Sequence, residues 1–180
     1  MVYFYGMKPT VASISFIDYP SPYGHSVGVY FTGCHHMCKG CQNPELQEHG
    51  QIYEKLTLEE FIPLLKEVAH KARTNKVVLL GGDPLDPQNR EFTKSLIESL
   101  SGEFDFCIYT GNRPSEEDMR YAYGARFIKF GVYKEDLKQD SVKTGEYMQF
   151  ASSNQELYRM NEETHSYDKV TENGRYYFNE

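Results

Sequence analysis

No run of apolar residues in the chain approaches the ~20 that a helix needs to span a bilayer. The N-terminus has no charged segment followed by an apolar signal core. Together these absences point to a cytoplasmic protein that does not engage a membrane. Lysine and arginine form no long basic stretch, and the formal net charge is −7. A sequence-independent grip on nucleic acid requires clustered cations, so no nucleic-acid partner is expected. Cysteine is scarce, with four in 180 residues. In a cytoplasmic setting that excludes a disulfide framework, and thiols that nevertheless cluster read as a metal site. There is no internal repeat and no low-complexity segment. The length is too small for two ordinary domains but enough for one with a sizeable core.

Three of the four cysteines fall between Thr32 and Leu46, as Cys34, Cys38 and Cys41, in a C-x-x-x-C-x-x-C pattern. Thiolates on one short loop can converge on a soft metal centre. Three is an odd number for a closed site, since structural zinc and iron–sulfur sites usually take four protein ligands. A 4Fe-4S cubane held by three cysteines leaves one iron open, and an open coordination position separates catalytic from structural centres. Taken alone, Cys38-x-x-Cys41 also suits a zinc knuckle completed by His35, His36 or His49. Otherwise His35 and His36 read as exposed loop residues. The fourth cysteine, Cys107, lies between Phe106 and Ile108 and reads as a buried, inert thiol.

Around this loop the pattern predicts alternating strands and helices. Residues 11–17 and 26–31 are strand candidates, the second running directly into the cysteines. Thr57 and Glu60 form a capping box ahead of an apolar stripe at helical spacing through Leu58, Phe61, Ile62, Leu65, Val68, Ala69 and Ala72. Pro63 predicts a kink or a later start. Residues 76–80 are continuously apolar, as in a strand buried on both faces, and stop at Gly81-Gly82-Asp83-Pro84. A helix capped by Asp86 or Asn89 would bury Phe92, Leu96, Ile97 and Leu100. Further strands at 104–109 and 126–130 flank a helix that starts at Ser115 with acidic residues in its first turn. The order argues for right-handed βαβ units around a parallel sheet. The segment from 160 to 180 is acidic and Tyr-rich, and either frays or adds an edge strand.

The cysteine loop, the turn at Gly81–Pro84 and Thr110-Gly111 all follow predicted strands. In a parallel α/β sheet or barrel such loops share the carboxyl end, where ligands bind. A full barrel takes ~250 residues, so this chain suits an incomplete, partial TIM-type barrel of parallel βα units, open to a large substrate. Gly81 and Gly82 permit close backbone approach to a ligand, and Asp83 offers a carboxylate to a cation such as an α-amino group. Lys129, near a strand end, could reach a ligand carboxylate, although a solvated lysine is the plainer expectation.

The cysteine loop followed by a Gly-Gly-acid-Pro turn resembles the radical S-adenosylmethionine (SAM) superfamily. Within it the chain is similar to the activases of glycyl-radical enzymes, nearest the subgroup that serves the anaerobic (class III) ribonucleotide reductase. Segments 33–43 and 80–89, Tyr109-Thr110-Gly111, and Ser152-Ser153-Asn154-Gln155 carry the resemblance, which spans roughly residues 11–157. It implies a radical SAM domain over 1–159 and a separate tail over 160–180. It also implies a 4Fe-4S cluster on Cys34, Cys38 and Cys41, with SAM on the fourth iron. Reductive cleavage of SAM would give a 5′-deoxyadenosyl radical that takes a Cα hydrogen from a glycine of the reductase large subunit. An electron donor such as flavodoxin would supply the electron. Gly81, Gly82 and Asp83 match the turn that holds the SAM amino group; Gly40 and Gln42 match positions beside its adenine. No catalytic residue is implied beyond these ligands. Where many members carry an aromatic, this chain has Gly40, so adenine stacking must come from elsewhere. A formate-lyase-type activase and a non-catalytic Fe–S or zinc module are the alternatives.

Overall fold

The computed structural model describes residues 11–17, 21–48 and 56–178. Residues 18–20 of the expected turn-rich loop, and His49, lie outside them. The elements run β1 (Val11–Ile17), β2 (Ser26–Phe31), α1 (Leu58–Ala72), β3 (Lys76–Gly81), α2 (Arg90–Leu100), β4 (Asp105–Tyr109), α3 (Glu116–Tyr121) and β5 (Phe127–Phe130). The short strands β6 (Val142–Lys143), β7 (Tyr147–Gln149), β8 (Glu156–Asn161), β9 (Ser166–Lys169) and β10 (Arg175–Tyr177) complete the order. Seven strands form one mixed sheet in the order β1-β2-β3-β4-β5-β8-β9. Its centre, β2 to β5, is parallel, with β1 antiparallel at one side and β8 and β9 antiparallel at the other. A small second sheet pairs β10, β7 and β6.

The parallel strands are mostly apolar on both sides because both faces are covered, as the apolar run that ends at Leu80 predicts. Strand periodicity sorts their side chains into two cores. Val77, Leu79, Phe106, Ile108, Ile128 and Phe130 face the helices, where Phe61, Leu65, Phe92, Leu96 and Ile97 meet them. Val78, Leu80, Cys107, Tyr109 and Phe127 face the other way, against Met148, Phe150, Leu157 and Tyr176. Each large apolar side chain so buried contributes roughly 1.5–3 kcal/mol.

Helix α1 begins at Leu58, not after Pro63. The Thr57 hydroxyl accepts from the Glu60 N–H at 3.3 Å and the Glu60 carboxylate from the Thr57 N–H at 2.8 Å, which fixes the start upstream. Pro63 is exposed, so water can serve the carbonyl it leaves unpaired. Asn89 occupies the N-cap position of α2 without a side-chain cap bond. Its side chain instead donates to the carbonyls of Thr32 and Asp83, at 3.0 and 2.9 Å.

Residues 160–178 add strands rather than a frayed tail. β8 runs across the 159/160 boundary, β9 forms the sheet edge, and β10 places Tyr176 in the second core. The Tyr167 hydroxyl lies within hydrogen-bond distance of the carbonyls of Ala125 and Ala122, stitching β9 to the turn after α3.

Candidate metal centre

The loops that leave β2, β3, β4 and β5 gather at one rim. Phe31 at the end of β2 stands opposite Gly81 at the end of β3. There the Gly82 N–H donates to the Phe31 carbonyl (2.7 Å) and the Asp83 N–H to that of Gly33 (2.9 Å). The cysteine loop closes on itself through Gly33 and Cys34, whose N–H groups donate to Leu46 and Gln47 at 2.9 and 3.0 Å. A Cβ on Gly82 would lie 2.6 Å from the Gly33 oxygen, and one on Gly81, at φ +106°, would lie 2.7 Å from the Phe31 backbone. The two glycines are therefore required by the cysteine loop's own backbone, a closer approach than the ligand contact read from sequence.

These loops enclose a cavity of about 520 Å³ whose wall includes Cys34, Cys38, Cys41, Gln42, Gly81 and Gly82. Six of the eight site residues chosen from the sequence line it, and the register of β2 on β3 brings the two loops together. Asp83 takes a different place. It is fully buried and absent from the cavity wall. One carboxylate oxygen accepts from the Leu85 N–H at 2.8 Å; the other accepts from the Thr110 hydroxyl at 2.9 Å and the Gly111 N–H at 3.0 Å. A buried carboxylate needs such donors, and these tie the β3 turn to the β4 turn. Gly40 lies beside the cavity, with Tyr133 and Glu135 packed where a side chain would go.

His36 is not an exposed loop residue. Its Nε2 lies 2.9 Å from the Asn112 side-chain oxygen and 3.2 Å from Asp83 Oδ2, and the hydrogen bond to Asp83 raises its pKa most. The imidazole thus fastens the cysteine loop to the turns after β3 and β4. His35 remains exposed and reaches Asp86 at 3.1 Å.

Sequence reasoning gave least weight to two groups on the wall. Lys129 of β5 is buried, not solvated, and lines the cavity with the cysteines. Burial pushes its pKa down to about 8, against an opposing pull from the Asp83 carboxylate. Its ammonium lies 5.1 Å from the centroid of the Tyr109 ring. The signal was a lone lysine inside Phe-Ile-Lys-Phe, a strand otherwise apolar on both faces. Tyr133, in the loop after β5, had no sequence signal other than the missing aromatic at Gly40. Its ring carbon Cε1 sits 3.1 Å from the point a Gly40 Cβ would occupy, and its hydroxyl donates to Glu135 at 2.5 Å.

Burial lifts the Cys34 thiol to about 11 and also raises Cys38. Bound iron reverses that preference, because a metal's positive charge holds a coordinating thiol deprotonated. Among the described residues no three His, Cys, Asp or Glu side chains converge to hold a single metal ion. Three thiols around a cavity of this size suit a cluster with several irons. Cys107 points into the second core, where burial raises its thiol pKa, and it takes no part.

A mixed α/β protein with three loop cysteines on its strand-end rim is an iron–sulfur protein by its donor set. Residues 23–158 match the model of the 4Fe-4S single cluster domain, and the chain belongs to that family and to its activase branch. It is 29% identical over 149 residues to the anaerobic ribonucleoside-triphosphate reductase-activating protein of Enterobacteria phage T4, covering 78% of this chain and 88% of that protein. The protein of the same name from Escherichia coli K12 is 26% identical over 134 residues (70% and 86%). That from Vibrio cholerae is 30% identical over 107 residues (57% and 68%).

Proposed function

We propose that the chain is a radical SAM activating enzyme that installs a glycyl radical on an anaerobic ribonucleoside-triphosphate reductase. The observation that carries this reading is one cavity lined at once by Cys34, Cys38 and Cys41, the Gly81–Gly82 backbone and the buried cation Lys129. The relatives' shared name supplies the partner. When bound, the 4Fe-4S cluster and SAM together supply an electron and a carbon radical able to take a glycine Cα hydrogen.

The chain's own residues then divide the remaining work. Cys34, Cys38 and Cys41 would hold the cluster by three of its irons. Lys129, on the cavity wall, would face a ligand carboxylate, where low local polarity strengthens the attraction. The Gly81–Gly82 backbone would meet a ligand amino group, and Asp83 holds that turn in place through Thr110 and Gly111. Tyr133 offers the ring that position 40 lacks, beside Gln42 and the last cluster cysteine. The parallel strands β2 to β5 with their helices represent the βα units of an incomplete TIM-type barrel. No helix among the described residues is long and apolar enough to cross a membrane. A small electron carrier such as flavodoxin would reduce the cluster.

Anaerobic reconstitution with iron and sulfide, reduction, and addition of SAM test the reading. The expected products are methionine and 5′-deoxyadenosine, followed by a glycyl-radical signal in electron paramagnetic resonance when the reductase is supplied. A cluster that forms but cleaves no SAM would sink the enzyme reading. Radical formation on a formate-lyase-type enzyme but not on the reductase would move the partner.

A further inference from the structure

His36 stands midway between Cys34 and Cys38, and two acceptors converge on its Nε2: Asn112 Oδ1 at 2.9 Å and Asp83 Oδ2 at 3.2 Å. Which end of the Asn112 amide faces the ring is decided one residue further out. Its Nδ2 donates to Asp118 Oδ1 at 2.9 Å, and a carboxylate can only accept. Asp118 is held in turn by the Ser115 hydroxyl, which donates to its Oδ2 at 2.7 Å and accepts from its N–H at 3.1 Å. The amide oxygen of Asn112 therefore points at His36, and it too only accepts. Nε2 must carry a hydrogen, whatever the charge of the ring.

The main chain of Asn112 is as firmly placed as its side chain. Its N–H donates to Thr110 Oγ1 at 3.1 Å, and its carbonyl accepts from the Gly131 N–H at 2.9 Å. Because the Thr110 hydroxyl donates to Asp83, the His36 ring closes a circuit of Asn112, Thr110 and Asp83. It lies over Gly111, where a Cβ would come within 2.3 Å of its Cδ2. The next residue shows what the circuit does for the loop. Met37 has φ +47° and is 63% exposed. Left-handed backbone is unfavourable for a residue with a side chain, and a side chain so exposed has little packing to hold it there. Such strain persists only where neighbouring contacts over-determine it. We infer that Asp118 and Asn112 fix the His36 ring with its hydrogen on Nε2, and that this ring holds Met37, and with it Cys38, in the conformation the cluster requires. His36 and Asn112 are then positioning residues for cluster retention.

The inference rests on Cys34, Cys38 and Cys41 holding the cluster, and two readouts separate the claims. In the cluster-free full chain, nitrogen chemical shifts of the His36 ring should show a hydrogen on Nε2; a bare Nε2 overturns the circuit. In the anaerobically reconstituted full chain, His36→Leu and Asn112→Leu should lose iron to an iron(II) chelator at least tenfold faster than wild type, the usual scale for groups that orient a ligand. His36→Gln should stay close to wild type, because a glutamine amide sets an N–H near the Nε2 position. His36→Asn is too short to reach Asn112 and should lose iron as His36→Leu does. Wild-type retention in His36→Leu, or equal losses in His36→Gln and His36→Leu, overturns the positioning role while leaving the ligand assignment standing. A wild-type chain that assembles no 4Fe-4S cluster overturns the assignment and the retention role with it, and the ring nitrogen still reports on the circuit.

Discussion

On one face of the central sheet, α1 and α2 lay Phe61, Leu65, Phe92 and Leu96 over Val77, Leu79, Phe106 and Ile108. On the other face, short strands from the last third of the chain bring Met148, Phe150 and Tyr176 over Val78, Leu80 and Cys107. That second cover stops short of the strand ends, where the cavity of the three cysteines opens. The helical face is apolar throughout. The cavity face carries a buried lysine, thiols and bare backbone, groups that each cost stability unless something binds them. One face therefore serves the fold and the other holds the chemistry, a division that substitutions can break.

The sharpest test compares two cysteines. Cys38→Ala should abolish cluster assembly and SAM cleavage, because two thiolates cannot retain the cluster, while thermal unfolding of the cluster-free chain hardly changes. Cys107→Ala should do the reverse, leaving cleavage near wild type and costing about 1 kcal/mol for the small void left in a fully buried position. Equal losses of cleavage in the two variants would contradict the separation of ligand from core. Across the sheet, Phe61→Ala should cost roughly 3–5 kcal/mol, seen as a lower denaturant midpoint. It makes edge-to-face contact with Phe92 at 5.4 Å between ring centroids and is fully buried. The spectrum of the assembled cluster should not change.

The same division explains what could be read from the sequence. Every element of the helical face is local: the stripe from Leu58 to Ala72 repeats at helical spacing, and Thr57 and Glu60 announce its start. The parallel strands declare themselves by continuous apolar runs, and their order places the cysteines and Gly81–Gly82 at one rim. The cover of the cavity face depends instead on pairings between distant segments, such as Tyr176 of β10 against Met148 of β7. Nothing local in an acidic, Tyr-rich stretch states that partner. Lys129 and Asp83 show the same limit from the other side. Their residue types suggest exposure and ligand contact, and only the assembled loops show that one is sunk in the cavity wall and the other is saturated by Leu85, Thr110 and Gly111.

The smallest effect tests the comparison most directly, because its sign is opposite on the two faces. Removing a buried group from the helical face destabilises; removing the Lys129 charge should stabilise the cluster-free chain. Burial depresses the folded-state pKa of Lys129 from 10.5 to about 8. Between those values the unfolded chain binds the extra proton and the folded chain does not, so stability rises with pH across that window. Below about 8 the cost of burying the cation is fully present. Lys129→Met keeps much of the aliphatic length and removes the charge, so it should exceed wild type by about 1–3 kcal/mol at pH 7. That advantage should shrink steadily from pH 8 towards 10.5, as the wild-type lysine neutralises on folding. Denaturant midpoints of both proteins at several pH values measure the difference. A variant less stable than wild type at pH 7, or an advantage independent of pH, would show that Lys129 is held by compensating partners and that the cavity face is not strained for function. With the cluster assembled, the same substitution should raise the SAM concentration needed for half-maximal cleavage at least tenfold, so that the residue which weakens the empty fold is the one that binds its ligand.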